Sequence, residues 1–192
     1  MFVCKYKAII MRYLPLIFLL SFCCDGYGQV QFSERYEKFK EQLKPTIVYD
    51  SVARYKNGNI KFKTVVARFH TEDYVFYQYI GDYEEYFRDG SLSGTWKFDD
   101  YGVPFDTKIY DGTGSLSCEI KLLEFDTTAK SAFEFLDSEE CLKFKTFEKY
   151  YRYSFRLCDT YLYKEGHKMN GTKIGLWKFY DADGNLKKEK EY

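Results

Sequence analysis

The chain has 192 residues, enough for one domain plus a short appendage. Aromatic residues make up 21% of it, with 20 Tyr and 18 Phe, which marks a β-rich protein because such rings suit half-buried pleated surfaces. The 29 basic and 29 acidic side chains balance, and without residues 1–28, which carry Lys5, Lys7, Arg12 and Asp25, 26 bases face 28 acids, so net charge makes no case for nucleic acid or an anionic membrane.

At the N-terminus, Lys5, Lys7 and Arg12 precede an apolar run from Tyr13 to Cys24, the layout of a secretory signal peptide. The run falls short of the roughly 20 residues a spanning helix needs, so no transmembrane span is expected in the mature chain. Gly26-Tyr27-Gly28 offers small residues for cleavage, so residues 1–28 are predicted to be the leader, with Met11 as an alternative start. Leu20-Ser21-Phe22-Cys23 also resembles a bacterial lipoprotein box, which would make Cys23 a lipidation site, although Phe22 stands where that box has a small residue. Read one step later, the box falls on Cys24. Either way the protein is expected to be exported: periplasmic, secreted or attached to the cell envelope.

Residues 29–45 are read as an N-terminal helical segment. Phe32, Tyr36, Phe39 and Leu43 recur at intervals of four, three and four, one face of a 3.6-residue period. Ser33 is the candidate N-cap and Pro45 the stop, and the helix is expected to lid the first hairpin of an array that needs a terminal cap.

Residues 46–192 are read as a β-hairpin domain. Asn57-Gly58 predicts a two-residue type I′ turn, in which both positions take positive φ. Asp89-Gly90 repeats the shape, Tyr110 to Leu116 repeats it loosely around Gly112, Asn170-Gly171 adds another turn signal, and Asp183-Gly184 closes the series. A stretch at about 120–165 departs from the pattern. Within it, 138–150 reads as either a helix start or a strand, and Tyr151, Tyr153, Phe155 and Leu157 alternate with polar residues as in a strand. Lys187-Lys188-Glu189-Lys190-Glu191 predicts a charged edge strand.

The only two tryptophans lie in an echo, Gly94-Thr95-Trp96-Lys97-Phe98 and Gly175-Leu176-Trp177-Lys178-Phe179. Asn170, Gly171, Lys173, Gly175, Trp177, Tyr180, Gly184 and Leu186 together resemble a bacterial MORN repeat, and Asp89-Gly90, Gly94, Trp96, Phe98 and Gly102 are similar to a second unit. Residues 54–63, with Gly58, resemble half of one. The resemblance implies stacked β-hairpins in an open, twisted antiparallel sheet, mainly β with a short N-terminal helix. Some bacterial members carry an antitoxin label, which an export signal argues against. Some eukaryotic relatives contact phospholipids, but the sequence displays no basic patch.

No catalytic constellation is found. His70 and His167 are far apart and outside any ligand spacing, and no Gly-x-Ser-x-Gly, His-Glu-x-x-His or phosphate-cradling loop occurs. Asp181-Ala182-Asp183-Gly184-Asn185 is read as a hairpin turn, since it lacks the third ligand and terminal Glu of a calcium loop. Cys118, Cys141 and Cys158 allow at most one disulfide and form no Cys-x-x-Cys pair. No metal, cofactor or catalytic residue is therefore expected. The sequence reads as a binding or scaffolding module whose partner is another protein or an envelope component. One rival is a carbohydrate- or peptide-binding module with exposed, coplanar Tyr rings. The other is a hydrolase with two carboxylates facing each other across a cleft, one with a raised pKa.

Overall fold

The computed structural model describes residues 30–71 and 73–192. The leader, Cys23 and the alternative start at Met11 lie outside the described residues. The chain forms one open sheet in which every long strand pairs antiparallel with its sequence neighbours, and the two end strands leave it unclosed. In order these are β2 (Ile47–Arg54), β3 (Ile60–His70), β4 (Val75–Tyr86), β5 (Leu92–Phe98), β6 (Pro104–Tyr110), β7 (Leu116–Thr127), β8 (Leu142–Ser154), β9 (Asp159–Met169), β10 (Thr172–Tyr180) and β11 (Leu186–Glu191). Ahead of them come β1 (Gln31–Phe32) and helix α1 (Glu34–Gln42). Between β7 and β8 lie helix α2 (Ala132–Asp137) and a single 3₁₀ turn, Glu139–Cys141. Residues 138–150 thus contain both a helical turn and a strand. The strand expected through Leu157 stops at Ser154, and Phe155, 89% exposed, sits in the following turn.

The core lies in mid-sheet, beside the place where β5 and β6 stop short of their neighbours. Pairing of β6 with β7 ends at Asp106, and β1 takes the vacated side of β7 in parallel, Phe32 beside Phe125. The chain then turns into α1, whose N-terminus is capped by Ser33: its hydroxyl accepts from the Tyr36 amide at 3.2 Å. The apolar stripe read from sequence faces inward. Tyr36 is fully buried, its ring 4.7 Å from Phe125 and 5.7 Å from Phe135 of α2, and edge-on to Tyr101 at 6.3 Å. Its hydroxyl donates to Asp99 at 2.5 Å, so burying the phenol leaves no polar atom unpartnered. The helix therefore does not lid the first hairpin. It fills the gap that two short strands leave in mid-sheet, where Ala67, Phe69, Ile80, Val103 and Leu122 complete the cluster.

Five of the connections are copies of one turn. At Tyr55, Phe87, Asp99, Asp111 and Asp181, the residue's carbonyl accepts from the glycine three positions on, and its amide donates to the carbonyl four positions on. The glycines are Gly58, Gly90, Gly102, Gly114 and Gly184, all at positive φ. This corrects the type I′ expectation at Asn57-Gly58 and Asp89-Gly90: only the glycine is left-handed, as in a type I turn closed by a glycine bulge. It also replaces Gly112 with Gly114 as the turn glycine. The two-residue type I′ geometry occurs instead at Asn170 (φ 47) and Gly171 (φ 77), between paired Met169 and Thr172.

Candidate binding face on strands β8 to β11

The two tryptophans occupy matching strands but are seated differently. Trp96 lies on its own strand's Gly94, where an added Cβ would come within 2.4 Å of the far edge of the indole, and its ring meets Tyr83 of β4 edge-on at 5.2 Å. Trp177 lies on Gly166 of the neighbouring strand β9, where a Cβ would stand 2.4 Å from the middle of its ring. Gly175, which pattern matching equates with Gly94, instead makes a bulge at φ 61 and exchanges two hydrogen bonds with Tyr192. Trp177 has 0% exposure, and its indole N–H donates to the His167 carbonyl at 3.0 Å. Tyr180, at the end of β10, donates its hydroxyl to Glu165 at 2.6 Å.

Above Trp177 the structure collects positive charge. The Lys173 ammonium sits 4.5 Å from the Trp177 ring and 4.5 Å from that of Tyr192. Lys164 lies 4.2 Å from the Tyr150 ring and 5.8 Å from Trp177. The Arg152 guanidinium lies 3.5 Å over Tyr163, Lys188 is 5.9 Å from Phe179, and Lys190 is 4.3 Å from Tyr192. Register pairs Tyr150 with Lys164, Lys164 with Phe179 and Phe179 with Lys188, so these groups share one face. Among the described residues, no ion pair involves Arg152, Lys164, Lys173, Lys188 or Lys190. Burial pushes the Lys164 ammonium below its ordinary pKa, and the crowding of Lys173, Lys168 and Arg152 adds to that.

One carboxylate anchors this face from beneath. Glu148 is buried, bonded at Oε2 to Lys168 at 2.8 Å and to the Tyr150 hydroxyl, and at Oε1 to the Thr146 hydroxyl at 3.2 Å. Burial alone would depress the Lys168 ammonium, but Glu148 and Tyr150 more than offset it and raise its pKa. Cys118 lies near the same group: burial, reinforced by the Glu148 charge, pushes its thiol up to about 11, so it rests protonated. Cys118 and Cys141 are buried thiols, Cys158 is exposed, and none is bridged.

A larger groove, about 630 Å³, is lined by Phe147, His167, Asp106, Glu119 and Lys149. Its charges are of both signs, with Lys108 3.8 Å from Glu119 and the Tyr151 hydroxyl 2.9 Å from Glu119. His70 ends β3, well away in register from His167. Exposed tyrosines do gather around β4, but their rings are not coplanar: Tyr79 is inclined 51° to Tyr83, and only Phe62 and Tyr83, at 16°, lie near parallel. The carboxyl that burial raises above its ordinary pKa, Asp99, is engaged by the Tyr36 hydroxyl and the amides of Tyr101 and Val103. Among the described residues, no cluster of His, Cys, Asp and Glu could hold a metal ion, and no helix is long and apolar enough to cross a membrane.

Sequence reading missed this face. The signal was present only in combination: alternation sends Lys188 and Lys190 to one side of β11 and Glu189 and Glu191 to the other, so a run of mixed charge is segregated by folding. No protein-family model matches the chain, and no curated protein matches it.

Proposed function

We propose that this is an exported, non-catalytic binding module that holds an anionic partner on the β8–β11 face of its sheet. The observation that carries this reading is the set of five cations without acidic partners among the described residues, each within 5.9 Å of the centre of an aromatic ring on the sheet. A surface that concentrates one sign of charge attracts the opposite sign even when the whole chain is neutral. The resemblance to hairpin repeats fits the same reading, because an array of side-by-side hairpins offers a face to its partner.

Chromatography on a negatively charged sulfopropyl matrix tests this. Despite balanced net charge, the protein is expected to be retained at low salt. Replacing Lys164, Lys173 and Lys188 together by Gln abolishes retention, while the same charge change at Lys143, Lys149 and Lys178, on the opposite face, preserves it. Equal losses in the two triple variants would refute the reading.

A further inference from the structure

Resting on that reading, we infer that the anion is a linear acidic polysaccharide, with a sugar carboxylate received by Arg152 and Lys188. These two residues border a groove of about 530 Å³ whose walls include Tyr161, Tyr163 and Phe179. The Arg152 guanidinium carbon lies 3.5 Å over the centre of the Tyr163 ring, which steadies the side chain, and its N–H fork has no acidic partner among the described residues and can receive a carboxylate. Tyr161 and Tyr163, in the same walls, carry hydroxyls that can donate to and accept from sugar hydroxyls. Asp181 at the groove's end has one carboxylate oxygen committed to the amides of Asp183 and Asn185 at 2.9 and 3.0 Å.

The ring arrangement separates this ligand from a single-stranded nucleic acid. Bases bind such proteins by stacking on open aromatic faces. Here the rings of Tyr163 and Trp177 already carry the protein's own cations, at 3.5 and 4.5 Å. What remains for a ligand is charge and hydrogen bonding. Lys164 and Lys188 stand two strands apart in register, about 10 Å at ordinary strand spacing, so the cations form a track across the strands that suits spaced charges along a chain. An anionic membrane fits this face less well, because insertion needs exposed apolar side chains on it and there Trp177 is sealed beneath the ammonium layer; the exposed Phe155 belongs to the β8–β9 turn.

The test compares binding of fluorescently labelled polygalacturonate, its fully methyl-esterified form, oligo(dT), and vesicles containing anionic phospholipid. Polygalacturonate is expected to bind in a salt-dependent manner, and esterification, which removes charge but keeps the sugar backbone, to weaken it at least tenfold. Arg152→Gln and Lys188→Gln each weaken it about tenfold, the order of one charge-assisted contact, while Lys149→Gln on the opposite face leaves it unchanged. Equal binding of the ester, or indifference to Arg152→Gln and Lys188→Gln, overturns the inference. Tighter binding of oligo(dT) or vesicles through Arg152 and Lys188 also overturns it but leaves the anion-binding face standing. Failure of all four probes to bind overturns both.

Discussion

The two indoles show how a single hydrogen in place of a methyl group shapes the sheet surface. Trp177 can lie flat and fully buried only because Gly166 has no Cβ. Trp96 depends on Gly94 in the same way, but there the collision would fall on the outer edge of a half-buried ring rather than on the middle of a sealed one. The two alanine substitutions should therefore differ. Gly166→Ala must displace a ring held by its hydrogen bond to His167 and by Lys173, and is expected to destabilise by about 3 kcal/mol, the upper range for overpacking. Gly94→Ala is expected to cost about 1 kcal/mol. Denaturant unfolding of both variants measures the difference, and equal losses would sink the claim. Sequence showed that both tryptophans matter and that glycines attend them. It paired Trp177 with Gly175, because proximity along the chain is visible and the neighbouring strand's Gly166 becomes a neighbour only through register.

Among elements, the repeated turn explains why so irregular a sequence folds as one array. Where the first turn residue is Asp, its carboxylate binds the amides two and four positions on, as Asp111 does with Thr113 at 2.9 Å and Ser115 at 3.1 Å. Where it is aromatic, the third residue takes over: Asn57 accepts from Asn59, and Asp89 from Ser91. Two side-chain solutions thus stabilise one backbone path. Neighbouring turns are also tied together, since Asn57 and Asn59 both donate to the Arg88 carbonyl and Tyr55 to that of Tyr86. The turn glycines are not equivalent. Gly114 faces open space, so Gly114→Ala pays only for a left-handed non-glycine residue, about 1 kcal/mol. At Gly102 a Cβ would also press within 3.1 Å of the Gln78 Cβ, so Gly102→Ala is expected to cost about twice as much. Thermal melts rank the pair, and a larger loss at Gly114 would contradict the account. Gly58, Gly90 and Gly184, the N-terminal helix and the edge strand β11 were legible because each is a local signal, whereas in Asp111-Gly112-Thr113-Gly114 two glycines compete and the reading took the wrong one. The turn type was not: Asn-Gly is compatible with both geometries, and the length of the hairpin loop decides between them. The cationic face was hidden for a related reason. Each strand's parity is visible, but which parity shares a face with the next strand depends on turn lengths and on bulges such as the one at Gly175.

For the whole molecule, the tyrosines that build the sheet also set its response to pH. Burial pushes the Tyr36 hydroxyl far above its ordinary value, with Asp99 adding to the effect. Burial followed by Glu119 does the same at Tyr151, while Tyr83, partly buried near Glu85, and Tyr180, partly buried and bonded to Glu165, are raised to about 12. In the unfolded chain these groups ionise near pH 10. Their stabilising contribution is thus fully present below about pH 10 and is lost as pH rises from there, because the unfolded chain releases protons that the folded one keeps. Lys168, also raised, acts in the same direction, and Lys164 and Tyr192, both lowered, oppose it. The raised tyrosines outnumber those two groups, so melting temperature is expected to fall by several degrees between about pH 9 and about pH 11. The phenolate absorbance contributed by Tyr36 and the other raised tyrosines should appear together with unfolding. Tyr36→Phe removes the most strongly shifted group, so this variant starts less stable, having lost its bond to Asp99, yet declines less steeply with pH. A melting temperature that stays level or rises over this range, or an equally steep decline in Tyr36→Phe, would show that the buried hydroxyls do not control alkaline stability.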